Sequence, residues 1–239
     1  IAGLKMDRPR LMGILNVTPD SFSDGGRFDR PETAIAHAKD MAASGADILD
    51  IGGESTRPGA ADVSAEVEIA RTAPVIRSLR ASGVQVPISI DTRKAEVVRA
   101  ALREGARFVN DVAALSYDPK IAHEVAAARV PICLMHAQGT PATMQADPRY
   151  ADVLLDVYDF LEARIAQAEA AGIPRARIVV DPGIGFGKTV AHNLALLRGL
   201  SLFHMTGCVI LLGASRKRFI GALGGGEAAG FRDGFDLLA

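Results

Sequence analysis

Apolar and polar positions along this chain alternate between two rhythms. Short, nearly unbroken aliphatic runs occur at LMGILNV (11–17), ADILDIGG (46–53), VPISIDT (86–92), RFVNDVA (107–113), VPICLMH (130–136), RIVVDPG (177–183) and CVILLGAS (208–215). Runs of this length, dominated by Ile, Val and Leu, predict strands of a parallel sheet buried on both faces. Helical spacings lie between them. PETAIAHAKDMAASG puts Ile35, Ala38 and Ala42 on one face, opens with Pro31 and Glu32 and closes at Gly45, the start and stop residues a helix favours. AEVEIARTAPVIRSLRASG, KAEVVRAALREGA and PKIAHEVAAARV repeat that grammar, with Gly83 and Gly105 as stops. The longest stretch, ADVLLDVYDFLEARIAQAEAAG, ends at Gly172-Ile173-Pro174. Such alternation implies right-handed crossovers and a parallel sheet.

Two parallel architectures fit, a doubly wound open sheet and a closed (β/α) barrel, and the strand ends discriminate between them. The runs end in Asn16, in Asp50 and Glu54, in Asp91, in Asn110 and Asp111, in His136, in Asp181 and in Ser215-Arg216-Lys217. A doubly wound sheet needs ligand-binding ends only beside its switch point, whereas every strand of a barrel delivers its C-terminal end to one mouth. A single Asp or Asn there is equally a helix cap or a loop anchor, but polar ends on all seven runs predict an α/β (β/α)8 barrel of the TIM type. No Pro, Gly or Ser linker divides the chain, and the only glycine cluster, Gly224-Gly225-Gly226, lies near its end, so one domain over residues 1–239 is expected. The eighth strand is not identifiable: KRFIGALGGGEAAGFRDGFDLLA holds no further β-rich run. Either the barrel is incomplete or a segment between roughly Leu223 and Gly230 is absent from this sequence, and the second is expected because an unpaired barrel edge exposes backbone donors and acceptors.

Composition narrows the class of partner. The 239 residues are 49% hydrophobic with no tryptophan and 5% aromatic, so the core is aliphatic. Lys+Arg of 27 against Asp+Glu of 28 gives a net charge of −1, without the basic footprint of a nucleic-acid or membrane surface. A small-molecule substrate is expected. Cys133 and Cys208 sit inside apolar runs without zinc-ligand spacing and read as packing residues. No secretory h-region opens the chain and no apolar run approaches the roughly 18 residues of a membrane span, which makes a cytoplasmic location the expectation. His37, His123, His192 and His204 read as surface residues, and His136 faces the mouth.

Two loops are unusual. NVTPDSFSDGGRF (16–28) and GGESTRPGA (52–60) each surround one arginine with Gly, Ser, Thr, Pro and Asp, a composition suited to a flap that closes on an anion as well as to a solvated turn. DPGIGFGKT (181–189) has the punctuation of a Walker A loop, with Pro182 where the first glycine belongs. Proline lacks both the N–H and the conformational freedom that phosphate cradling needs. The glycines instead suit a backbone passing close beneath a flat ring, with Lys188 expected as a solvent-side or loop lysine and not as a phosphate ligand. A P-loop NTPase using Asp50 or Asp91 as Walker B acid remains the rival reading, and it leaves both Ser/Thr/Arg loops unexplained.

From Leu11 to about Leu223 the chain resembles the dihydropteroate synthase family. MGILNVTPDSFSDGG and GADILDIGGESTRPG are similar to that family's two signature loops, and SIDT, Asn110-Asp111, MHAQGTPATMQ, DPGIGFGKT and GASRKRF resemble its other strand-end motifs in the same order. The resemblance implies a barrel enzyme of folate synthesis. Such an enzyme joins p-aminobenzoate to 6-hydroxymethyl-7,8-dihydropterin pyrophosphate with loss of pyrophosphate, assisted by Mg²⁺. It implies pterin contacts from Asp91, Asn110 and Asp181, whose carboxylates and amide suit a guanidine-like ring edge. Val112, Met135 and Phe186 would give the ring apolar faces. Lys217 would approach both substrates, and Thr56, Pro58 and Ser215 the p-aminobenzoate, with Arg216 and Phe22 also at the substrates. Arg57 would stabilise the leaving group and Asn16 would hold the metal. Asp91, Lys217 and Arg57 would act in catalysis, by pyrophosphate loss and capture of a pterin cation. A homodimer and sulfonamide competition are further implications. A pterin-binding methyl-transfer barrel shares the acidic edge but needs neither NVTPDSF nor the Ser-Arg-Lys turn. The family's final Arg-x-His motif is not found, which leaves a non-catalytic pterin-binding relative as the alternative.

Overall fold

Strand parity divides the hydrophobic residues into two cores. In the computed structural model, which describes residues 1–18, 31–55, 62–139, 143, 144, 146–215, 217 and 235–238, seven parallel strands follow the predicted runs. They are β1 (Arg10–Asn16), β2 (Ile48–Gly52), β3 (Ile88–Asp91), β4 (Phe108–Asp111), β5 (Ile132–Met135), β6 (Ile178–Asp181) and β7 (Val209–Leu212). Leu49, Ile51, Ile88, Ile90, Val109, Ile132, Leu134, Val180 and Ile210 point outward into the core shared with the helices. Met12, Ile48, Phe108, Cys133, Val179 and Leu211 fill the barrel interior. Successive side chains of a strand take opposite faces, so each strand serves both cores. The N-terminal Ile1, Ala2, Leu4 and Met6 pack against the interior cluster and plug the barrel at the end away from the mouth.

The helices are α1 (Pro31–Ala43), α2 (Ala65–Ala81), α3 (Ala95–Arg103), α4 (Lys120–Ala128), α5 (Val153–Ala170) and α6 (Val190–Arg198). Gly45, Gly83, Gly105 and Gly172 follow the first, second, third and fifth of these at φ of +106°, +82°, +107° and +92°, as the stop signals predicted. Asp152 caps α5 by accepting from Leu154 and Leu155 N–H at 2.9 and 3.2 Å. Cys133 and Cys208 are buried free thiols. Among the described residues, no helix is long and apolar enough to cross a membrane.

The expectation of a missing eighth strand is corrected. Phe235–Leu238 forms β8, which runs antiparallel between β7 and β1 and closes the barrel. Its register pairs Gly13 with Phe235 and Leu211 with Leu238. Four residues after an Asp-Gly pair carry too short a pattern to be recognised as a strand. What seats them is the tertiary context: the facing edges of β7 and β1 otherwise leave backbone groups unpaired.

Candidate active site

The same parity decides which strand ends enter the mouth. Counting by twos from the interior residues brings Asn16, Asp50, Gly52, Asp91, Asn110, Met135 and Asp181 inward. Asn16 pairs in register with Gly52, Gly52 with Asp91, and Asp91 with Asn110, so three polar residues and one glycine form a continuous row across four strands. Gly52 opens a notch in this row. A Cβ there would lie 3.2 Å from Asp91 Oδ2 and 3.4 Å from Asn16 Oδ1. An amide oxygen and a carboxylate oxygen beside one notch are donors that would suit a hard cation such as Mg²⁺. Among the described residues no cluster of three His, Cys, Asp or Glu could hold a metal by itself.

One layer deeper, Asn110 Nδ2 donates to Asp50 Oδ2 at 2.9 Å. Asp50 is only 2% exposed, and its Oδ1, like Ser89 Oγ opposite it in register, is buried without a hydrogen-bond partner. Burial raises the Asp50 carboxyl above its ordinary range, with the hydrogen bond from Asn110 pulling it partly back. The Asp91 carboxyl is held well above the usual range, first by desolvation and then by Asp50, Glu68, Glu54 and Asp111. Such a site favours a cation arriving in it, because among the described residues neither Asp50 nor Asp91 is paired with a positively charged side chain. Asp50 was read from the sequence as a strand end and as the Walker B acid of the rival reading, not as part of this site. Its shared parity with Ile48 and Gly52 was the signal that it lies beneath the site.

Across the mouth, Met135 pairs in register with Asp181. Asp181 Oδ1 accepts from Gly183 N–H at 2.7 Å. Desolvation raises its carboxyl to about 6, while Lys217 and Lys188 draw it back. Gly183 at φ +69° is required here: a Cβ would stand 1.8 Å from His136 O. This tight turn answers the Walker-like spacing. Thr189 caps α6, its Oγ1 accepting from His192 N–H at 3.2 Å. Lys188, expected on the solvent side, is instead 3% exposed. Its Nζ meets His136 Nδ1 at 2.9 Å and donates to Phe186 O at 3.0 Å. Gly183, Gly185 and Gly187, all at positive φ, let the loop fold down onto the end of β5 and carry the lysine inside. Desolvation lowers Lys188 to about 7, and desolvation together with Lys188 lowers His136 to about 3. A neutral His136 is therefore an internal acceptor for Lys188.

Lys217 Nζ lies 4.2 Å from the centroid of the Phe186 ring, a cation–π contact. Val112, Met135 and Phe186 line one cavity of about 250 Å³ together with Tyr117, Arg93 and Glu54. Asp111 points away from the mouth. It accepts from Ala113 and Leu115 N–H at 2.9 and 2.7 Å and so anchors the turn that presents Val112. Glu54, another polar strand end, is committed to Arg93 and Lys94. Ser215 follows β7 two residues before Lys217 and is half-buried. Phe22, Thr56, Arg57, Pro58 and Arg216 lie outside the described residues.

A barrel whose mouth sets acids and amides opposite a lysine over an aromatic ring is the architecture of a pterin-binding enzyme. The family profile described as "Pterin binding enzyme" matches residues 12–233, and the chain belongs to that family. Within it the similarity is to dihydropteroate synthases, transferases of folate synthesis. The chain is 47% identical over 220 residues to the dihydropteroate synthase of Escherichia coli K12, covering 92% of this chain and 77% of that one. It superposes on Xanthomonas albilineans dihydropteroate synthase with 4-aminobenzoic acid at a TM-score of 0.87 and 49% identity, over 96% of this chain and 80% of that one. On the same organism's enzyme in complex with 7,8-dihydropteroate the TM-score is 0.83 at 46% identity, with the same coverages.

Proposed function

We propose that this chain condenses 6-hydroxymethyl-7,8-dihydropterin pyrophosphate with p-aminobenzoate to give 7,8-dihydropteroate and pyrophosphate. The observation that carries the reading is the inward row Asn16–Gly52–Asp91–Asn110 facing Asp181, with Lys217 over Phe186. Asp181 and Asn110 would read the ring edge, Asp181 accepting from its N–H donors. Val112, Met135 and Phe186 would cover its faces, and Lys217 and Ser215 would stand towards the second substrate. The C–O bond to pyrophosphate breaks with its electron pair leaving on the pyrophosphate oxygen. The resulting pterin cation is stabilised by Asp91 and Asp181, and the arylamine nitrogen then forms the C–N bond and releases its proton to water. Mg²⁺, held beside Asn16, would supply charge neutralisation of the pyrophosphate, and Arg57 would share that work. Thr56 and Pro58 would flank the p-aminobenzoate; Arg216 and Phe22 complete the candidates. Cytoplasmic residence and a homodimer belong to the same proposal and are checked by fractionation and by sedimentation.

The deciding assay measures pyrophosphate release from the pterin ester, with and without p-aminobenzoate and Mg²⁺. Release that depends on both supports the reading. Tight binding of the pterin ester without release supports a non-catalytic pterin-binding protein, and no binding refutes both.

A further inference from the structure

Lys188 takes part in no step of the chemistry above, yet it is buried at the edge of the mouth. We propose that Lys188, braced by His136, is a positioning residue that holds the Phe186 ring over the pterin cavity. The proposal rests on the function proposed above, which gives one face of the pterin to Phe186. A lysine after a glycine-rich loop could reach for a phosphate, but this one is turned inward and takes its acceptors from the chain itself. Its Nζ donates to Phe186 O at 3.0 Å, meets His136 Nδ1 at 2.9 Å and lies 3.5 Å from His136 O. With Nε2 carrying the imidazole proton, Nδ1 accepts. An ammonium has three hydrogens for these three acceptors, and a neutral amine still has the two that the shorter contacts use. The hold on Phe186 O therefore survives loss of the lysine's charge.

Both sides of this contact are fixed. His136 N–H donates to Asp181 O at 2.9 Å, which carries the β5–β6 pairing one step past Met135 and ties the histidine to the strand end bearing the pterin acid. Its ring stands edge-on to Phe160 of α5, with 4.8 Å between centroids and 83° between planes. On the loop side, Gly185 N–H donates to Asn193 Oδ1 at 2.8 Å and Tyr150 Oη donates to Gly187 O at 2.7 Å. Gly185, Phe186 and Gly187 are thus each held through the backbone by a different side chain, and Lys188 holds the middle one. Those anchors are needed because Phe186 stands between glycines at φ +83° and +64°, whose backbones impose little direction of their own. Phe186 lines the cavity with Val112 and Met135, and Lys217 Nζ lies 4.2 Å from its ring centroid. A turn of its backbone would withdraw the ring from the cavity.

Steady-state kinetics with each substrate varied in turn, together with fluorine NMR of protein carrying 4-fluorophenylalanine, test the proposal. Relative to wild type, Lys188→Met is expected to raise KM for the pterin ester about 10-fold and to leave KM for p-aminobenzoate within about 2-fold. Tyr150→Phe, which removes only the hydroxyl on Gly187 O, should raise the pterin KM about 3-fold. Phe186→Ala raises it too, and adding Lys188→Met should then cost less than about 2-fold more, because the lysine acts through the ring. Binding of 6-hydroxymethylpterin, which has no pyrophosphate, should weaken about 10-fold in Lys188→Met by calorimetry. The Phe186 resonance, assigned by its loss in Phe186→Leu, should move in Lys188→Met, while that of Phe203 in the helix-side core stays. An unmoved Phe186 resonance, a parallel rise in both KM values, an additive double variant, or weakened binding of the ester but not of 6-hydroxymethylpterin overturns the proposal. Should Lys188→Met not fold, an unchanged pterin KM in Tyr150→Phe does the same. A wild type that releases no pyrophosphate sinks the proposed function instead, and the fluorine resonance still decides whether Lys188 holds the ring.

Discussion

Asp181→Asn should weaken pterin binding and strengthen the fold at the same time. Asp181 is 5% exposed, and burial lifts its carboxyl from an ordinary 3.8 to about 6. That difference corresponds to about 3 kcal/mol held against the ionised form. The sign follows from linkage. A carboxyl with a raised folded-state pKa binds its proton more tightly in the fold, so the stability it contributes is complete below about 3.8 and is lost as pH rises through about 6. At pH 7.5 the wild type carries this burden, and asparagine removes it while its oxygen still accepts from Gly183 N–H. We expect unfolding in urea to show a gain of about 1–2 kcal/mol for Asp181→Asn, the usual trade of a functional polar residue.

Binding should move the other way. In the proposed pose the carboxylate would accept two charge-assisted hydrogen bonds from the ring edge, and the amide would replace one acceptor with a donor facing a donor. A loss of about 3 kcal/mol follows, or roughly 150-fold in Kd. Titration calorimetry with the pterin measures this. For the wild type, Kd should also rise tenfold per pH unit below about 6, as the carboxyl takes up its proton, and the Asp181→Asn variant should lack that dependence. A variant that binds within about 3-fold of wild type, or a wild-type Kd flat between about pH 5 and 8, would refute the role given to Asp181.

Lys188→Met tests the buried lysine. Its folded-state pKa near 7 lies below the ordinary 10.5, so the wild type should gain stability as pH rises from 7 towards 10, by up to about 1.4 kcal/mol per unit, and the variant's profile should be flatter; equal slopes in denaturant titrations would dismiss the assignment. Asp50→Ala removes the acceptor that orients the Asn110 amide and should lower kcat about tenfold, whereas Asp50→Asn keeps an acceptor oxygen and should stay within about 3-fold; identical rates in the two variants would show that Asp50 does not act through Asn110. Gly183→Ala drives a Cβ to 1.8 Å from His136 O at φ +69°, and should destabilise the chain by more than about 3 kcal/mol in thermal or chemical unfolding; a wild-type melting temperature would mean that the turn after β6 is not as described.

The barrel was legible because its seven parallel strands are buried on both faces and write unbroken aliphatic runs into the sequence. β8 was not, because four residues between two other strands take their conformation from those neighbours rather than from their own pattern. The site divides in a similar way. Asp91, Asn110 and Asp181 were readable as polar ends of apolar runs. Lys188 was misplaced because exposure is not a property of a lysine in a glycine-rich loop but of where three positive-φ glycines send the chain. Arg93 was invisible for a related reason: its partners Glu54, Asp62 and Tyr117 are 39, 31 and 24 positions away, and no local spacing encodes them.

Parity connects these cases and gives the site its electrostatics. Once Ile48, Phe108, Cys133 and Val179 are known to face the barrel interior, the period of two fixes Asp50, Asn110, Met135 and Asp181 on the same face, and Asp111 on the other. The interior that dehydrates the aliphatic residues also dehydrates the acids at its rim. Asp50, Asp91 and Asp181 are all raised by desolvation first, neighbouring acids raise Asp91 further, and Lys217 and Lys188 draw Asp181 back, so burial in the fold itself sets the electrostatics of the mouth. Shifting one strand by a single residue would exchange Asp181 for Val180 in the mouth and turn the acid into the helix-facing core. The register that packs the barrel is therefore the register that brings these acids together in its mouth.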